Sequence, residues 1–302
     1  LLALGRGDGA VPLSTLGLFA YAGFRIQPSV QLLLNAINSL RYHRHLVDDL
    51  LQDEAAIAAA RSDLLVPLTE PPSTPFRGLA LRDVRFDYAP DDASTRPALT
   101  GIDLEVRRGE FIGICGPTGG GKSTLLDVLA GLLVPTSGEV VVDGAPLGPE
   151  PRTWWARLGV VSQAGFLLDD SLARNIAFGV PDADLDRDRL ADVVRRAQLD
   201  EVVAGLPQGL DTMVGERGVR LSGGQRHRVT LARALYRDPE VLLLDEGTSA
   251  LDGATEAAVM AALGVERRER TVIAVAHRLT TLRGADRILV VEGGRVVASG
   301  GW

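Results

Sequence analysis

Apolar residues follow two different rhythms along this chain. After about residue 79 they come in short β-rich blocks: Phe111–Cys115, Val140–Val142, Val241–Leu244, Val272–Val275 and Ile288–Val291. Several blocks are continuous, as strands buried on both faces of a parallel sheet are, whereas Leu81–Tyr88 largely alternates like a half-exposed strand. Between them, Ser123–Leu132 and Leu185–Ala197 have helical spacing, and residues 167–236 are mostly helical in pattern. Before residue 79 the rhythm is helical throughout. Val11–Phe24 is apolar, no proline interrupts Ser29–Val66, and Ala, Leu and acidic residues crowd Leu46–Leu65, which favours a long helix. A spanning helix needs about 20 apolar residues. Val11–Phe24 is shorter, and Arg25, Gln27, Pro28 and Gln31 interrupt its extension to Ile37, so a membrane helix, an amphipathic helix and a buried helix all stay open. Pro67–Pro75 contains four prolines and reads as a linker. The expected organisation is a helical region over 1–65, a linker over 66–78, and an α/β domain with a mixed sheet over 79–302, its helical part at about 167–236.

Composition adds limits. The chain has 302 residues, 46% of them hydrophobic, which is enough for a substantial core, and a net charge of −7, which gives no reason to expect nucleic-acid binding. Cys115 is the only cysteine, so an intrachain disulfide and a cysteine-cluster metal site are excluded; within its apolar run it reads as a small core residue. Leu1 in place of methionine, and a last residue Trp302 just after a strand-like run, read as cut ends. Of the 32 basic residues, 31 are arginine and one, Lys122, is lysine. Coding composition explains such a bias, yet the single lysine falls where a compact ammonium suits a phosphate.

That place is Gly116-Pro117-Thr118-Gly119-Gly120-Gly121-Lys122-Ser123-Thr124, after a hydrophobic strand and at the start of a helical pattern. This is the context a phosphate-cradling Walker A loop requires. Its glycines let the backbone turn N–H groups towards phosphate oxygens, and a helix N-terminus adds its positive dipole end. Lys122 would reach the β- and γ-phosphates of ATP, and the Ser123 hydroxyl would ligate Mg2+. The apolar run Val241–Leu244 ends in Asp245 and Glu246. Asp245 would act on the magnesium, and Glu246 would polarise the attacking water as general base.

Leu221-Ser222-Gly223-Gly224-Gln225 narrows the field. With this run the chain resembles the ATP-binding cassette (ABC) family, whose signature sequence it matches in full. Further matches fall in that family's order over Leu79–Gly301. Tyr88 resembles the aromatic that stacks on adenine. Gln163 resembles the glutamine between the two subdomains that contacts magnesium and water. Ser249 to Asp252 resembles the D-loop, and His277 the switch histidine at the γ-phosphate. Taken singly these have plain alternatives: Tyr88 a strand aromatic, Gln163 a surface residue, His277 a satisfied histidine at a strand end. His227, beside the signature, reads as a surface residue, His43 and His45 as solvated, and Trp154 and Trp155 as packing residues.

The resemblance implies a P-loop NTPase cassette, with a mixed-sheet core and a helical subdomain, preceded by the end of an α-helical transmembrane domain. It implies that Ser222 and its glycines cap ATP held by a second chain facing head to tail, either another copy or a paralogous half-transporter. The segment Thr212–Gly218, with Glu216 at its centre, is similar to the part exporters set against the partner's coupling helices. The expected protein is thus a membrane-bound exporter ATPase with its cassette in the cytoplasm of a bacterium. Phe19–Ser29 is reminiscent of flippases for lipid-linked oligosaccharides, so its unknown substrate is expected among lipid-linked molecules. The rival is a soluble mechanical ATPase of the same family.

Overall fold

The computed structural model describes residues 13–64, 72–89, 96–149, 151–163, 165–245, 270–276 and 282–302. The chain divides into two units, Leu1–Pro67 and Leu68–Trp302. In the first, α1 is one 52-residue helix, Leu13–Leu64, that carries Pro28 in its interior. Pro28 interrupts the apolar run in the sequence but not the helix. Proline removes one N–H and crowds one carbonyl, and the 52-residue helix continues through that single loss. Leu18, Phe19, Phe24, Leu32, Leu33 and Leu40 are each more than half exposed. No helix among the described residues is long and apolar enough to cross a membrane.

The second unit runs β1 (Gly78–Phe86), β2 (Leu99–Arg107), β3 (Phe111–Cys115), α2 (Lys122–Leu129), β4 (Ser137–Val142), β5 (Ala145–Pro146), α3 (Arg152–Trp155), β6 (Leu158–Val161), α4 (Leu172–Ile176), α5 (Arg187–Arg196), α6 (Asp200–Gly205), α7 (Gly223–Tyr236), β7 (Val241–Asp245), β8 (Thr271–Val275), β9 (Arg287–Glu292) and β10 (Arg295–Gly300). The single mixed sheet expected from the sequence resolves into two. One is antiparallel, in the order β2-β1-β4-β5; the other runs β10-β9-β3-β8-β7-β6. In the second sheet only the β10–β9 pairing is antiparallel. The continuous apolar runs belong to this sheet because both of its faces are covered. Ile112, Ile114, Val241, Leu243, Ile273 and Val275 pack on one side with α2 and the antiparallel sheet. Phe111, Cys115, Leu242, Leu244, Val272 and Ala274 pack on the other with α4, α5 and α7. Each Leu- or Ile-sized side chain removed from water in this way contributes about 1.5–3 kcal/mol. Cys115 is buried, as its run suggested.

Trp154 and Trp155 have the packing role expected: their indole N–H groups donate to the carbonyls of Leu129 and Ala130, each at 3.0 Å, which ties α3 to the end of α2. A buried arginine fixes the entry of the chain into this unit. Arg157 donates to Asp143 Oδ2 at 2.9 Å and to the Thr74 carbonyl at 2.7 Å. The same Asp143 accepts from Arg77 N, and Glu240 accepts from Phe76 N, each at 2.7 Å.

Candidate active site

Five parallel strands end on one edge of the six-stranded sheet, and that edge collects the chemistry. β3 gives out at Cys115, and Gly116 follows with φ 145°. A Cβ there would stand 2.0 Å from the Val291 carbonyl oxygen, so the loop is seated directly on β9 and only glycine fits. Gly120 is equally confined, its Cβ position lying 2.8 Å from the same oxygen. Gly120 N donates to the Pro117 carbonyl at 3.1 Å, and Gly294 N to the Gly120 carbonyl at 3.0 Å, which anchors the loop to the β9–β10 turn. Gly121, at φ 100°, opens α2 with no side-chain cap, so the first N–H groups of that helix are not answered by a capping side chain. Pro117, Thr118 and Gly119 are exposed along the rim.

Lys122 is buried at 6% exposure and bends back over the loop, its ammonium donating to the carbonyls of Gly116 at 3.1 Å and Pro117 at 2.9 Å. A compact ammonium is therefore held at the centre of the cradle. Ser123, exposed, points the other way and donates to Asp245 Oδ1 at 3.3 Å. The hydroxyl and the carboxylate thus meet across 122 residues of sequence, one from the first turn of α2 and one from the end of β7. Thr124 is nearly buried, and its hydroxyl lies 3.2 Å from the Tyr88 hydroxyl. That contact brings Tyr88, 67% exposed and edge-on to Phe86 at 4.9 Å, to the loop.

Electrostatics follow from this crowding. Burial, and then the neighbouring Asp245 carboxylate, raise the carboxyl of Asp127 above the usual carboxylate range. Burial likewise raises the Cys115 thiol, against the pull of Lys122. Asp127 was not singled out from the sequence; its position four residues after Ser123, on one helical face, was the available signal. Hydroxyl and carboxylate oxygens are the hard donors that magnesium prefers, so this donor set fits the ion.

Gln163 is exposed two residues beyond β6. Because Val161 pairs with Leu244, the chain after β6 leaves the sheet beside Asp245. Leu221 is buried, and Ser222, exposed, caps α7: its hydroxyl accepts from Gln225 N at 3.2 Å, while Gln225 Oε1 accepts from Ser222 N at 2.8 Å. Gly223 and Gly224 form the first turn. Glu216 is exposed in a short turn before the signature. His227 corrects the sequence reading. It is 6% exposed, and burial lowers its pKa from 6.5 to about 4. Glu246, Ser249, Asp252 and His277 lie outside the described residues, as do residues 66–71 of the expected linker over 66–78.

A strand, a glycine-seated loop, a helix opened by Lys-Ser and an acid-ended strand two places along the sheet define a phosphate-loop nucleotide-binding fold. A profile of the ABC transporter family matches residues 99–249. An ATP-dependent lipid A-core flippase of Burkholderia orbicola is 40% identical over 268 residues, covering 85% of this chain and 44% of that protein. A mycobactin import ATP-binding/permease protein of Mycolicibacterium thermoresistibile is 47% identical over 72% of this chain and 37% of that protein. The solved structure of a bacterial Atm1-family ABC exporter with ATP bound superimposes with a TM-score of 0.71 at 35% identity, covering 83% of this chain and 44% of that one. The chain belongs to the ABC transporter family and carries its ATP-binding domain. It spans less than half the length of each of these relatives.

Proposed function

We propose that the chain is the C-terminal part of an exporter-type half-transporter, in which ATP-driven pairing of two cassettes moves a substrate across a membrane. The observation that carries this is the convergence of Lys122, Ser123 and Asp245 on one loop at the sheet edge. In this reading the backbone of Gly116–Thr124 and the ammonium of Lys122 bind the β- and γ-phosphates, and Tyr88 stacks on adenine. Ser123 and Asp245, with Gln163, hold the magnesium that neutralises phosphate charge. Glu246 and His277 serve as base and γ-phosphate contact. Leu221–Gln225 caps the nucleotide of a second chain, next to the D-loop of Ser249 and Asp252.

The many exposed apolar side chains of α1 between Leu16 and Leu40 support its reading as the end of a membrane domain, because such surface favours burial by lipid or protein. On this reading residues 1–65 close the membrane domain, 66–78 link it, and 79–302 form the cassette, its helical subdomain at about 167–236. Glu216, with the exposed Met213 and Val219 beside it, supports a coupling surface towards the membrane helices. The flippase names among the relatives support a lipid-linked substrate and residence in the bacterial inner membrane with the cassette in the cytoplasm. The relatives, all transporters by name, do not favour the soluble alternative. Lys122→Ala tests the reading. Charged hydrogen bonds of about 1.5–3 kcal/mol are lost, so ATP affinity by calorimetry should fall about ten- to a hundredfold, with hydrolysis. Unchanged affinity would overturn the assignment.

A further inference from the structure

Arg233 lies about three turns into α7, half-buried, with its guanidinium spread over the segment that follows Gln163. Its Nε donates to the Asn175 carbonyl at 2.8 Å, Nη1 to the Phe166 carbonyl at 2.7 Å, and Nη2 to Asn175 Oδ1 at 3.1 Å. The Phe178 ring lies against the cation at 5.0 Å. Asn175 is fully buried. Its amide accepts from Leu168 N at 2.9 Å and donates to the carbonyls of Leu168 at 3.1 Å and Ser171 at 3.0 Å, which closes residues 168–175 into a tight loop. One turn earlier on α7, Thr230 Cγ2 would stand 2.4 Å from a Cβ on Gly165, so the chain there lies directly on the helix.

The strand-end loop that carries Gln163 is therefore fastened twice to the helix that begins at Ser222. We propose that Arg233 is a positioning residue, which makes the Gln163 loop and the Ser222 cap move as one body. A planar fork with several fixed donors reaches Phe166 and both polar groups of Asn175 at once; a lysine ammonium is a point charge on a flexible stem and cannot. Burial lowers the Arg233 pKa, as expected for a cation taken out of water and kept charged by its acceptors. A helix is stiff, so a displacement of residues 165–176 is delivered along α7 from Arg233 to its N-cap Ser222 without further machinery. This deepens the ATPase reading and rests on it for its kinetic consequence.

Two measurements on the 302-residue chain test the proposal, with Arg233→Lys and Thr230→Ala as separate variants. In steady-state ATP hydrolysis, Arg233→Lys should lower kcat about tenfold with KM for ATP within about threefold, because the phosphate loop is untouched. A role in folding alone predicts a lower melting point with kcat per folded molecule unchanged, and that result overturns the proposal. Hydrogen exchange without nucleotide supplies the arm that does not depend on hydrolysis. Either variant should speed exchange at the Leu168 amide and, together with it, at the Gln225 amide of the Ser222 cap, while α2 amides stay as they were. Acceleration confined to residues 165–176 overturns the coupling. Coupled exchange in a chain that fails to hydrolyse ATP would instead sink the ATPase reading and leave the mechanical link standing.

Discussion

Lys122 spends two donors on its own loop, on the carbonyls of Gly116 and Pro117. The cradle is thus pre-shaped around a positive centre, and the cost of bringing the ammonium into place is met on folding and not on binding. His227 shows the opposite side of residue-scale physics, a titratable group that folding keeps neutral. Its pKa drops from 6.5 to about 4 because burial penalises the imidazolium. Between those values the unfolded chain binds more protons than the folded one, so this contribution is complete above about pH 6.5 and is lost as pH falls towards 4. The slope is up to about 1.4 kcal/mol per pH unit. Stability followed by denaturant unfolding from neutral pH downward should therefore fall more steeply in the native chain than in His227→Gln. Equal slopes would show that the imidazole is not buried. The sequence held a signal for this. Buried Thr230, Leu231, Ala234 and Leu235 lie three, four, seven and eight residues after His227, on one helical face. The flanking Arg226 and Arg228 masked it by making the stretch look solvated.

At the scale of elements, what lies contiguous in sequence was legible and what folding assembles was not. The phosphate loop, the signature and the acid-ended strand each announce themselves because their chemistry needs fixed spacing. Asp245 meeting Ser123 followed from that logic. The Arg157–Asp143–Glu240 ion cluster did not: its members come from the residue before β6, the turn after β4 and the residue before β7, and none has a partner within helical or strand reach. The two-sheet arrangement was hidden for the same reason, since strand order is a property of distant pairings. Pro28 is carried inside α1 because one lost hydrogen bond is small beside the whole helix. The cap of α7 gives the prediction proper to this scale. Ser222→Ala removes the acceptor for Gln225 N, which should cost about 1 kcal/mol of stability. ATP binding to the same chain's Lys122 loop should be untouched, whereas hydrolysis should collapse. Weakened binding in calorimetry at full fold would place Ser222 on its own chain's nucleotide and refute the cross-chain role.

For the whole molecule, the proposed pairing of two chains over two nucleotides calls for its own test. Glu246→Gln separates association from turnover. General-base catalysis supplies roughly 10²–10⁴-fold in rate. The variant should therefore bind ATP, stop hydrolysing and persist as a dimer in size-exclusion chromatography, while monomer at saturating ATP would count against the sandwich. The family could be read from the sequence because its motifs span the cassette; the transported molecule could not, because the chain covers under half of its relatives.

The capped serine has a consequence for such an assembly. Its oxygen lone pair is committed to Gln225 N, and the backbone N–H of Ser222 to the Gln225 amide, but the hydroxyl proton donates to nothing among the described residues. In the proposed assembly, fold and partner would therefore draw on opposite halves of one hydroxyl. A visiting phosphate would then be gripped and let go at every cycle while the helix behind it stays wound, which is what a reversible latch requires.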